Sequence, residues 1–297
     1  MLQKKPTILL NRLGAVGDVI LTTPIVEGLY QKYGGFCDIS IRTFSGDVYK
    51  NNPYIKEILH PHQAIDIGSY NIFINLDSVY ENNPSIHILD AYEYHVFGAL
   101  SLRRQAKIYP STSDQEHVDH LLKNSSGDYL VLHMRNIQSA VPWQNSRNLP
   151  VDFWRAVIEK LLKESKFHIV QIGTQEDLAF DQNPRLVDAR NKLSIQQLHE
   201  LFKNAKAFAG VDSAPFHIAG TTNIPIVALF TTARFEYRKP YRHKVKFIPI
   251  TAEIECYGCL EKQALGSTGI DCHRGDVECR NRFNPDHVYE NIMRATQ

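Results

Sequence analysis

The sequence predicts an α/β protein with two lobes, each built on a parallel sheet, and a cleft between them. The chain has 297 residues, about twice the usual length of one domain, so two domains are the default expectation. Short apolar runs bounded by turn residues alternate with helix-like segments, as is typical of βαβ units. A second series of this kind begins after the polar break at residues 123–127. We therefore predict a first lobe at residues 1–125 and a second at 126–297.

The first lobe is predicted to begin with a strand, a glycine loop and a helix. Residues 7–10 form a short apolar run typical of a strand buried on both faces. The loop contains Gly14 and Gly17, and Asp18 opens a predicted helix that ends before Gly34. Further strands are predicted at residues 37–42, 55–59 and 70–76. Residues 80–125 favour helices and long loops.

The second lobe repeats this alternation. Strands are predicted at residues 128–133, 167–172, 207–210 and 226–230, and helices at 151–165, 195–203 and 286–295. In open parallel sheets, ligands bind outside the carboxyl ends of the strands. Two such sheets predict a ligand in the crevice between them, although two unrelated lobes without a shared site remain an alternative.

Composition and charge narrow the class of protein. The chain is 43% hydrophobic and 22% charged, and its formal net charge is +1. This balance carries no strong nucleic-acid signal. No stretch approaches the roughly 20 consecutive apolar residues of a membrane span, and no signal peptide is recognised. We expect a cytoplasmic protein whose membrane association, where it occurs, is peripheral to the inner membrane.

The glycine loop leaves two interpretations of Asp18. Glycines allow a tight turn after a strand, but the GxxGD pattern lacks the third glycine of the dinucleotide fingerprint. Aspartate is among the best helix N-cap residues, and the loop alone favours that role. A carboxylate at a cleft edge can instead take the proton of an acceptor hydroxyl.

A second loop joins the strand at 207–210 to a short helix. It contains Asp212, Ser213, Ala214 and His217. Backbone N–H groups at the helix start, together with the Ser213 hydroxyl, suit a diphosphate, and His217 adds a donor or a positive charge. The alternative is that Asp212 caps the helix and His217 is a half-buried histidine with satisfied hydrogen bonds.

Two further sets of residues are candidate ligand-binding residues. Arg135 and Arg147 follow the first strand of the second lobe and can neutralise a leaving pyrophosphate, although each alone is also compatible with a surface charge. Thr174 and Glu176 follow the strand at 167–172, where the carboxylate either holds ribose hydroxyls or caps the next helix.

Four cysteines are concentrated near the carboxyl terminus in the pattern C-x2-C-x12-C-x6-C. They are Cys256, Cys259, Cys272 and Cys279. Four thiolates suit a structural Zn²⁺ or iron ion, with His273 as a substitute ligand. Reduced thiols or a redox-sensitive pair are equally compatible with this spacing.

Five segments, in order, resemble glycosyltransferase family 9, the heptosyltransferases of the lipopolysaccharide inner core. They are LGAVGDVILTTPIVEGL, NNPYIKEIL, YNIFINLD, SRNLPVDFW and GVDSAPFHIAGTTNIPIVALF. The resemblance covers nearly the whole chain. It implies the GT-B fold, a donor nucleotide held mainly by the second lobe, and an inverting, metal-independent transfer from an ADP-linked sugar, with no cofactor required for catalysis.

The resemblance also implies roles for individual residues. Asp18 becomes the base that activates the acceptor, a role compatible with capping. The diphosphate loop is matched by Asp212, Ser213, Ala214 and His217, where the family usually has Asp-Thr-Gly and then His. Arg147 stands where the family usually has a lysine near the phosphates. Glu176, with Thr174 beside it, lies near the position of the family's ribose-contacting glutamate. Arg135 replaces a small hydroxyl residue of the family.

The function implied by the resemblance is transfer of heptose or a related sugar to a lipopolysaccharide-type glycan or glycolipid at the membrane surface. Arg42, Arg103 and Arg104 are candidates for acceptor phosphates, although a solvated face is compatible with them. Two alternatives remain: the same fold glycosylating a protein or a nucleic-acid base, and a non-catalytic binding or assembly protein. The terminal helix is expected to pack back on the first lobe.

Overall fold

A computed structural model describes residues 4–100, 105–123, 125, 127–134, 145–177, 179–180, 183–242, 244–262 and 272–297. Within these residues, the strands form two fully parallel sheets, one from residues 7–75 and one from residues 129–251. The predicted fold class is confirmed: the chain has the two α/β lobes of the GT-B arrangement.

The first sheet has the strand order β3-β2-β1-β4. Its strands are β1 (Thr7–Asn11), β2 (Asp38–Arg42), β3 (Ile55–Leu59) and β4 (Ile72–Asn75). The ends of the three strands β1, β2 and β4 are in register, with Asn11 opposite both Arg42 and Asn75. The loops that follow these strands therefore leave the sheet from one edge.

The first lobe is completed by α1 (Val16–Ile20), α2 (Thr23–Lys32), α3 (Ile88–Phe97) and α4 (Thr112–Leu122). The sequence predicted one helix where α1 and α2 stand. The break occurs because Thr22 is the N-cap residue of α2 and Pro24 follows in its first turn. Proline has no N–H to continue a preceding helix, but it is tolerated in a first turn.

The second sheet has the strand order β10-β9-β8-β5-β6-β7. Its strands are β5 (Tyr129–His133), β6 (His168–Ile172), β7 (Leu186–Asp188), β8 (Ala207–Val211), β9 (Ile226–Phe230) and β10 (Phe247–Thr251). The two edge strands, β7 and β10, were not predicted. The reason is that β7 has three residues and β10 contains Pro249, a residue that sheets accept at an edge.

The helices of the second lobe are α5 (Val151–Glu164), α6 (Ile195–Lys203), α7 (Ala214–Ala219) and α8 (Pro285–Ala295). The expectation that the terminal helix packs on the first lobe is wrong. Helix α8 packs on α5 and on β8, β9 and β10. Its buried stripe of Val288, Ile292 and Ala295 joins the second-lobe core around Trp154.

The two lobes are in direct contact. Helix α1 packs on α7, and α4 packs on α6. The side-chain amide of Gln196 donates to the Asp47 carbonyl at 2.6 Å, and that of Gln105 donates to the carbonyls of Gly220 and Thr222 at 3.2 and 3.1 Å. Helix α4 belongs to the first lobe in sequence but packs on α6 of the second lobe. The domain boundary near residue 125 therefore stays a prediction. Of the helices in the described ranges, none has the length and apolar character needed to cross a bilayer.

Candidate active site between the lobes

Asp18 lies in the first turn of α1, at the carboxyl edge of the first sheet. Ala15, rather than Asp18, is the N-cap residue, and it makes no side-chain cap. The Asp18 carboxylate instead accepts a hydrogen bond from Arg12 Nη2 at 2.8 Å through Oδ2. Its side chain is 17% exposed, so it is held in place and still reachable. The capping interpretation is therefore wrong for this side chain.

Arg12 is the buried cation behind Asp18. Its side chain is 4% exposed. Nη1 donates to the Leu76 carbonyl at 3.2 Å, and Nη2 donates to Glu81 Oε1 at 3.0 Å as well as to Asp18. The guanidinium also lies over the rings of Tyr80 and Tyr92, at 5.3 and 5.8 Å from the centroids. Burial opposes its charge, but the nearby Tyr92, Asp18 and Glu81 raise the pKa of Arg12 above its ordinary value.

Gly14 makes room for this arginine. A Cβ at Gly14 would lie 3.1 Å from Arg12 Nη2, a separation tighter than ordinary packing allows. The loop that follows β1 is tied to the loop after β4, because Asp77 accepts from the Leu13 backbone at 2.8 Å and from Asn11 Nδ2 at 2.7 Å. The loops after β1 and β4 are distant in sequence, but these hydrogen bonds join them into one support for Asp18.

The second lobe contributes the loop between β8 and α7. Ser213 is the N-cap residue of α7, but its hydroxyl pairs with His133 Nδ1 at 3.0 Å instead of capping the helix. Asp212 is buried, and one of its carboxylate oxygens lies 3.7 Å from both Arg147 and Arg238. The predicted contribution of the Ser213 hydroxyl to a diphosphate would therefore compete with an existing hydrogen bond.

Two arginines supply positive charge beside this loop. Arg147 Nη1 donates to the Asp212 carbonyl at 2.9 Å. Arg238 is buried and also pairs with Glu261. Burial opposes the charge of Arg238, but Asp212 and Glu261 raise its pKa above the ordinary value. The sequence analysis missed Arg238 and Glu261 because neither belongs to a local motif.

His217 connects the two halves of the site. Its Nε2 lies 3.9 Å from Asp212 Oδ1, and its ring contacts Gly17 so closely that a Cβ at Gly17 would be 2.6 Å from Cδ2. Burial lowers the pKa of His217, although the charges of Asp212 and Asp18 oppose the shift. Because the pKa lies below its ordinary value of about 6.5, the neutral imidazole is the favoured form of His217 at physiological pH.

The predicted ribose-contacting residues are exposed. Thr174 and Glu176 follow β6, and both side chains face solvent. The neighbouring Asp177 is buried and accepts from the Thr174 backbone at 2.7 Å. Gly173 is required there, since its φ is +149° and a Cβ would lie 2.3 Å from Asp177 Oδ2. Asp177 thus shapes the turn that presents Glu176.

The acceptor-side arginines are only partly described. Arg42, at the end of β2, donates to the Pro61 carbonyl at 2.6 Å. The Arg42 backbone carbonyl accepts a hydrogen bond from the Arg12 backbone N–H. Arg42 therefore lies next to Arg12, the residue that holds the Asp18 carboxylate. Arg103, Arg104 and the donor-side candidate Arg135 lie outside the described residues, so their roles stay predictions.

The four tail cysteines are thiols rather than disulfides. Burial and the neighbouring Cys256 and Cys272 raise the pKa of Cys259 to about 11. Burial and the other three cysteines raise the pKa of Cys279 to about 12. The four sulfur atoms therefore lie near enough to influence one another, a donor set that suits a thiophilic metal. In the described ranges, however, no three histidine, cysteine or acidic side chains have an arrangement that would hold a metal ion.

Comparison with known proteins relates this site to sugar transfer. Residues 133–267 match the model of glycosyltransferase family 9 (heptosyltransferase), a range that includes Arg147, Asp212, His217 and Arg238. Lipopolysaccharide heptosyltransferase 3 of Escherichia coli is 21% identical over 295 residues, covering 77% of this chain and 84% of that protein.

Two solved structures share the fold. A family 9 glycosyl transferase from Veillonella parvula has a TM-score of 0.71 and 17% identity, covering 100% of this chain and 98% of that one. The dodecameric, iron-containing glycosyltransferase TibC of enterotoxigenic E. coli has a TM-score of 0.70 and 17% identity, covering 100% of this chain and 78% of that one. A second TibC structure contains ADP-D-β-D-heptose. The family match over residues 133–267, the heptosyltransferase relative and the shared two-lobed fold make this chain a glycosyltransferase that is similar to family 9.

Proposed function

We propose that this enzyme transfers heptose or a related sugar from an ADP-linked donor to a lipopolysaccharide-type carbohydrate acceptor, with inversion at the anomeric carbon. The relatives support the sugar and the nucleotide: one is named a lipopolysaccharide heptosyltransferase, and TibC was solved with ADP-D-β-D-heptose. The observation that carries the proposal is the contact between Gly17 and His217, which brings the Asp18 loop against the loop of Asp212.

In the proposed reaction, Asp18 is the general base. Its carboxylate takes the proton from an acceptor hydroxyl, and the oxygen forms a bond to the anomeric carbon of the donor sugar. The bond between that carbon and the diphosphate oxygen breaks on the opposite side, and the diphosphate leaves with the electron pair. A single displacement of this kind inverts the anomeric configuration.

The second lobe binds the leaving group in this proposal. Arg147 and Arg238 both lie beside Asp212, and their guanidinium groups can donate to phosphate oxygens in pairs. Neutral His217 can add an uncharged donor. These cations support a transfer that uses protein side chains to stabilise the diphosphate, so the proposal does not require a metal in the chemical step.

The proposal extends to the acceptor and to the cysteines. Arg42, Arg103 and Arg104 are proposed to bind acceptor phosphates on the first lobe. The four tail cysteines are proposed to bind a structural metal ion; TibC is named iron-containing. Since all five cysteines are thiols, a reducing compartment suits the chain, and we place the enzyme in the cytoplasm at the inner-membrane surface.

The testing experiment incubates the purified enzyme with ADP-heptose and a core oligosaccharide released from truncated lipopolysaccharide. We expect ADP release coupled to product formation, an inverted anomer by NMR, and full activity in EDTA-treated assays. In Asp18→Asn, kcat should fall by about 100- to 10,000-fold, the usual contribution of a general base, while calorimetry shows unchanged ADP affinity. Normal turnover in this variant would remove the base assignment, and retention of configuration would remove the single displacement.

A matched control comes from Asp152, an exposed aspartate in the first turn of α5 that pairs only with Arg155 among the contacts described for it. Asp152→Asn makes the same chemical change on an exposed side chain, 89% accessible, that pairs with Arg155. It should retain wild-type kcat and KM, which separates the effect at Asp18 from a general effect of losing a carboxylate.

A further inference from the structure

The cation behind the proposed base has more than one carboxylate partner. Arg12 Nη2 donates to Asp18 Oδ2 at 2.8 Å and to Glu81 Oε1 at 3.0 Å. Asp77 Oδ1 lies 3.7 Å from Arg12 Nη1. One nearly inaccessible guanidinium is thus shared by a carboxylate from the β1 loop and two from the segment after β4.

Arg12 has little freedom to follow a moving partner. Its Nη1 donates to the Leu76 carbonyl, Tyr80 and Tyr92 lie against its faces, and Gly14 closes the remaining side. A hydrogen bond to such a fixed donor determines the direction of the Asp18 carboxylate. With Oδ2 occupied by Arg12, Oδ1 is the oxygen available to an acceptor hydroxyl.

Proton uptake by Asp18 changes the charge balance around Arg12. An ionised Asp18 compensates the buried cation, but a protonated Asp18 does not. A buried charge that loses its partner is strongly destabilised. Glu81 Oε1 lies 3.0 Å from the same nitrogen, so Arg12 keeps a hydrogen-bonded carboxylate partner when Asp18 takes up the proton.

We infer that Arg12 and Glu81 form a positioning pair for Asp18: Arg12 aims the carboxylate, and Glu81 keeps Arg12 paired while Asp18 holds the acceptor proton. This role rests on the proposed function of Asp18. Arg12 and Glu81 act through Asp18 and touch neither donor nor acceptor. Glu81 is the less expected of the two, since it lies 63 residues beyond Asp18 in the sequence.

The two members of the pair act on Asp18 with opposite signs. Removing the positive charge of Arg12 makes ionisation of Asp18 harder, whereas removing the negative charge of Glu81 makes it easier. The titratable and charged groups facing Asp18 from the surrounding elements are Arg12, Asp77, Tyr80, Glu81, Tyr92 and His217. All except the substituted residue remain in each variant.

The test compares Arg12→Gln, Arg12→Lys and Glu81→Gln in the full-length enzyme. We expect kcat to fall about tenfold or more in Arg12→Gln and Glu81→Gln, with donor and acceptor KM nearly unchanged. The acid-side limb of the kcat profile should move to higher pH in Arg12→Gln and to lower pH in Glu81→Gln, each by about one unit. Arg12→Lys, which keeps the charge, should leave the limb near its wild-type position.

A second readout works without turnover. The carboxyl ¹³C shift of Asp18, assigned by comparison with Asp18→Asn, is followed against pH in each variant, and should show the same opposite displacements. Retained ADP affinity and cooperative thermal unfolding show that each variant is folded. Because the Glu81 side chain is 28% exposed, we expect Glu81→Gln to disturb the fold less than a substitution of buried Arg12. The charge control is Arg155→Gln on exposed α5.

The outcomes separate this inference from the proposed function. Opposite displacements of the carboxyl titration support the pair, even where the wild type fails to transfer the sugar and the proposed reaction is lost. The inference is overturned if the Asp18 titration curves of Arg12→Gln and Glu81→Gln coincide with that of the wild type or are displaced in the same direction. This holds even where wild-type transfer is normal. A raised KM with unchanged kcat in Glu81→Gln would overturn it as well, because Glu81 would then be a substrate-binding residue.

Discussion

Gly17 of the first lobe lies directly against the imidazole of His217 in the second lobe, so that a Cβ at Gly17 would stand 2.6 Å from His217 Cδ2. This contact joins α1, which carries Asp18, to α7, which follows Asp212 and Ser213. The approach of the two lobes at this point depends on the absence of a side chain. The glycine therefore matters for the distance between Asp18 and the Asp212 loop as much as for the turn after β1.

The first prediction concerns this contact. Gly17→Ala should lower kcat/KM by about tenfold or more, because a displacement of about 1 Å in a reacting geometry is sufficient for a loss of that order. ADP affinity should change less than turnover, since the alanine separates the lobes without removing a donor-loop residue. Steady-state kinetics and calorimetry with ADP measure the two effects.

The matched control for this change is Gly68→Ala. Gly68 is exposed, and a Cβ there meets only the flexible end of Asp66 at 3.2 Å. Its kinetics should equal those of the wild type. Equal activity of Gly17→Ala and Gly68→Ala would show that the contact with His217 does not set the reacting geometry.

The second prediction concerns Arg147, one of the two arginines beside Asp212. Arg147→Gln should weaken ADP binding by about 10- to 100-fold, the usual value of a charge-assisted hydrogen bond at such a site. AMP binding should weaken less, because the terminal phosphate is absent. Calorimetric titration with ADP and AMP provides the comparison, and Arg155→Gln is the control. Equal losses for both nucleotides would place Arg147 away from the terminal phosphate.

The third prediction concerns His217 and Asp212. His217→Ala should weaken ADP binding, and Asp212→Ala should do so as well, since it leaves Arg147 and Arg238 without the carboxylate that orients them. The effect of the His217 substitution should be nearly the same at pH 7.5 and pH 8.5, because burial lowers the pKa of His217 below its ordinary value of about 6.5. An ADP affinity that rises steeply at the lower pH in the wild type alone would show that His217 binds as a cation.

The fourth prediction is an acid-sensitive stability. His87 accepts from the Leu89 backbone through Nδ1 and therefore donates through Nε2 to the Lys239 carbonyl, joining α3 to the second lobe. Burial lowers the pKa of His87 to about 4, against the opposing effect of the Lys239 hydrogen bond. The folded state then binds fewer protons than the unfolded state between the folded pKa and the ordinary histidine value of about 6.5.

The sign follows from this difference in bound protons. The contribution of His87 is fully present above pH 6.5 and is lost as the pH falls toward 4, by on the order of 3 kcal/mol in total. Urea unfolding at pH 7 and pH 5 should therefore show a lower free energy of unfolding at pH 5. His87→Asn, which keeps a capping acceptor, should reduce this difference but not abolish it, because burial also lowers the pKa of His199. An unchanged pH dependence in the variant would contradict the assignment.

The fifth prediction concerns the cysteine tail. Protein purified under reducing conditions should contain about one zinc or iron ion per chain, and Cys279→Ser should lose the metal and unfold at a lower temperature, because a structural metal site contributes to folding. Elemental analysis and thermal unfolding measure both. Cys37→Ser, a change at the buried cysteine of the first lobe, should retain the metal. Metal-free wild-type protein with four titratable tail thiols would favour the interpretation as reduced cysteines.

The sequence predicted the strands and helices that have strong local signals. β1, β5 and β9 are short, mainly apolar runs, and α5 and α6 have a clear helical periodicity, so each could be placed to within a few residues. The glycine loop and Asp18 could be found for the same reason, since a strand, a tight turn and a helix start are encoded by adjacent residues. The edge strands β7 and β10 could not, because three residues or an internal proline carry little signal.

The arrangement around Asp18 was decided by tertiary structure. Arg12 is adjacent to the glycine loop in sequence, but only the return of the chain through β4 brings Glu81 to the same guanidinium, and only the packing of α1 on α7 brings His217 to Gly17. The contact of Arg12 with Glu81 joins residues 69 positions apart, and that of Gly17 with His217 joins residues 200 positions apart. Local periodicity holds no information about pairs so far apart in sequence. Periodicity and turn chemistry therefore predict a two-lobed fold and the position of Asp18 in it, whereas the burial of charged groups between distant loops determines how that carboxylate is held.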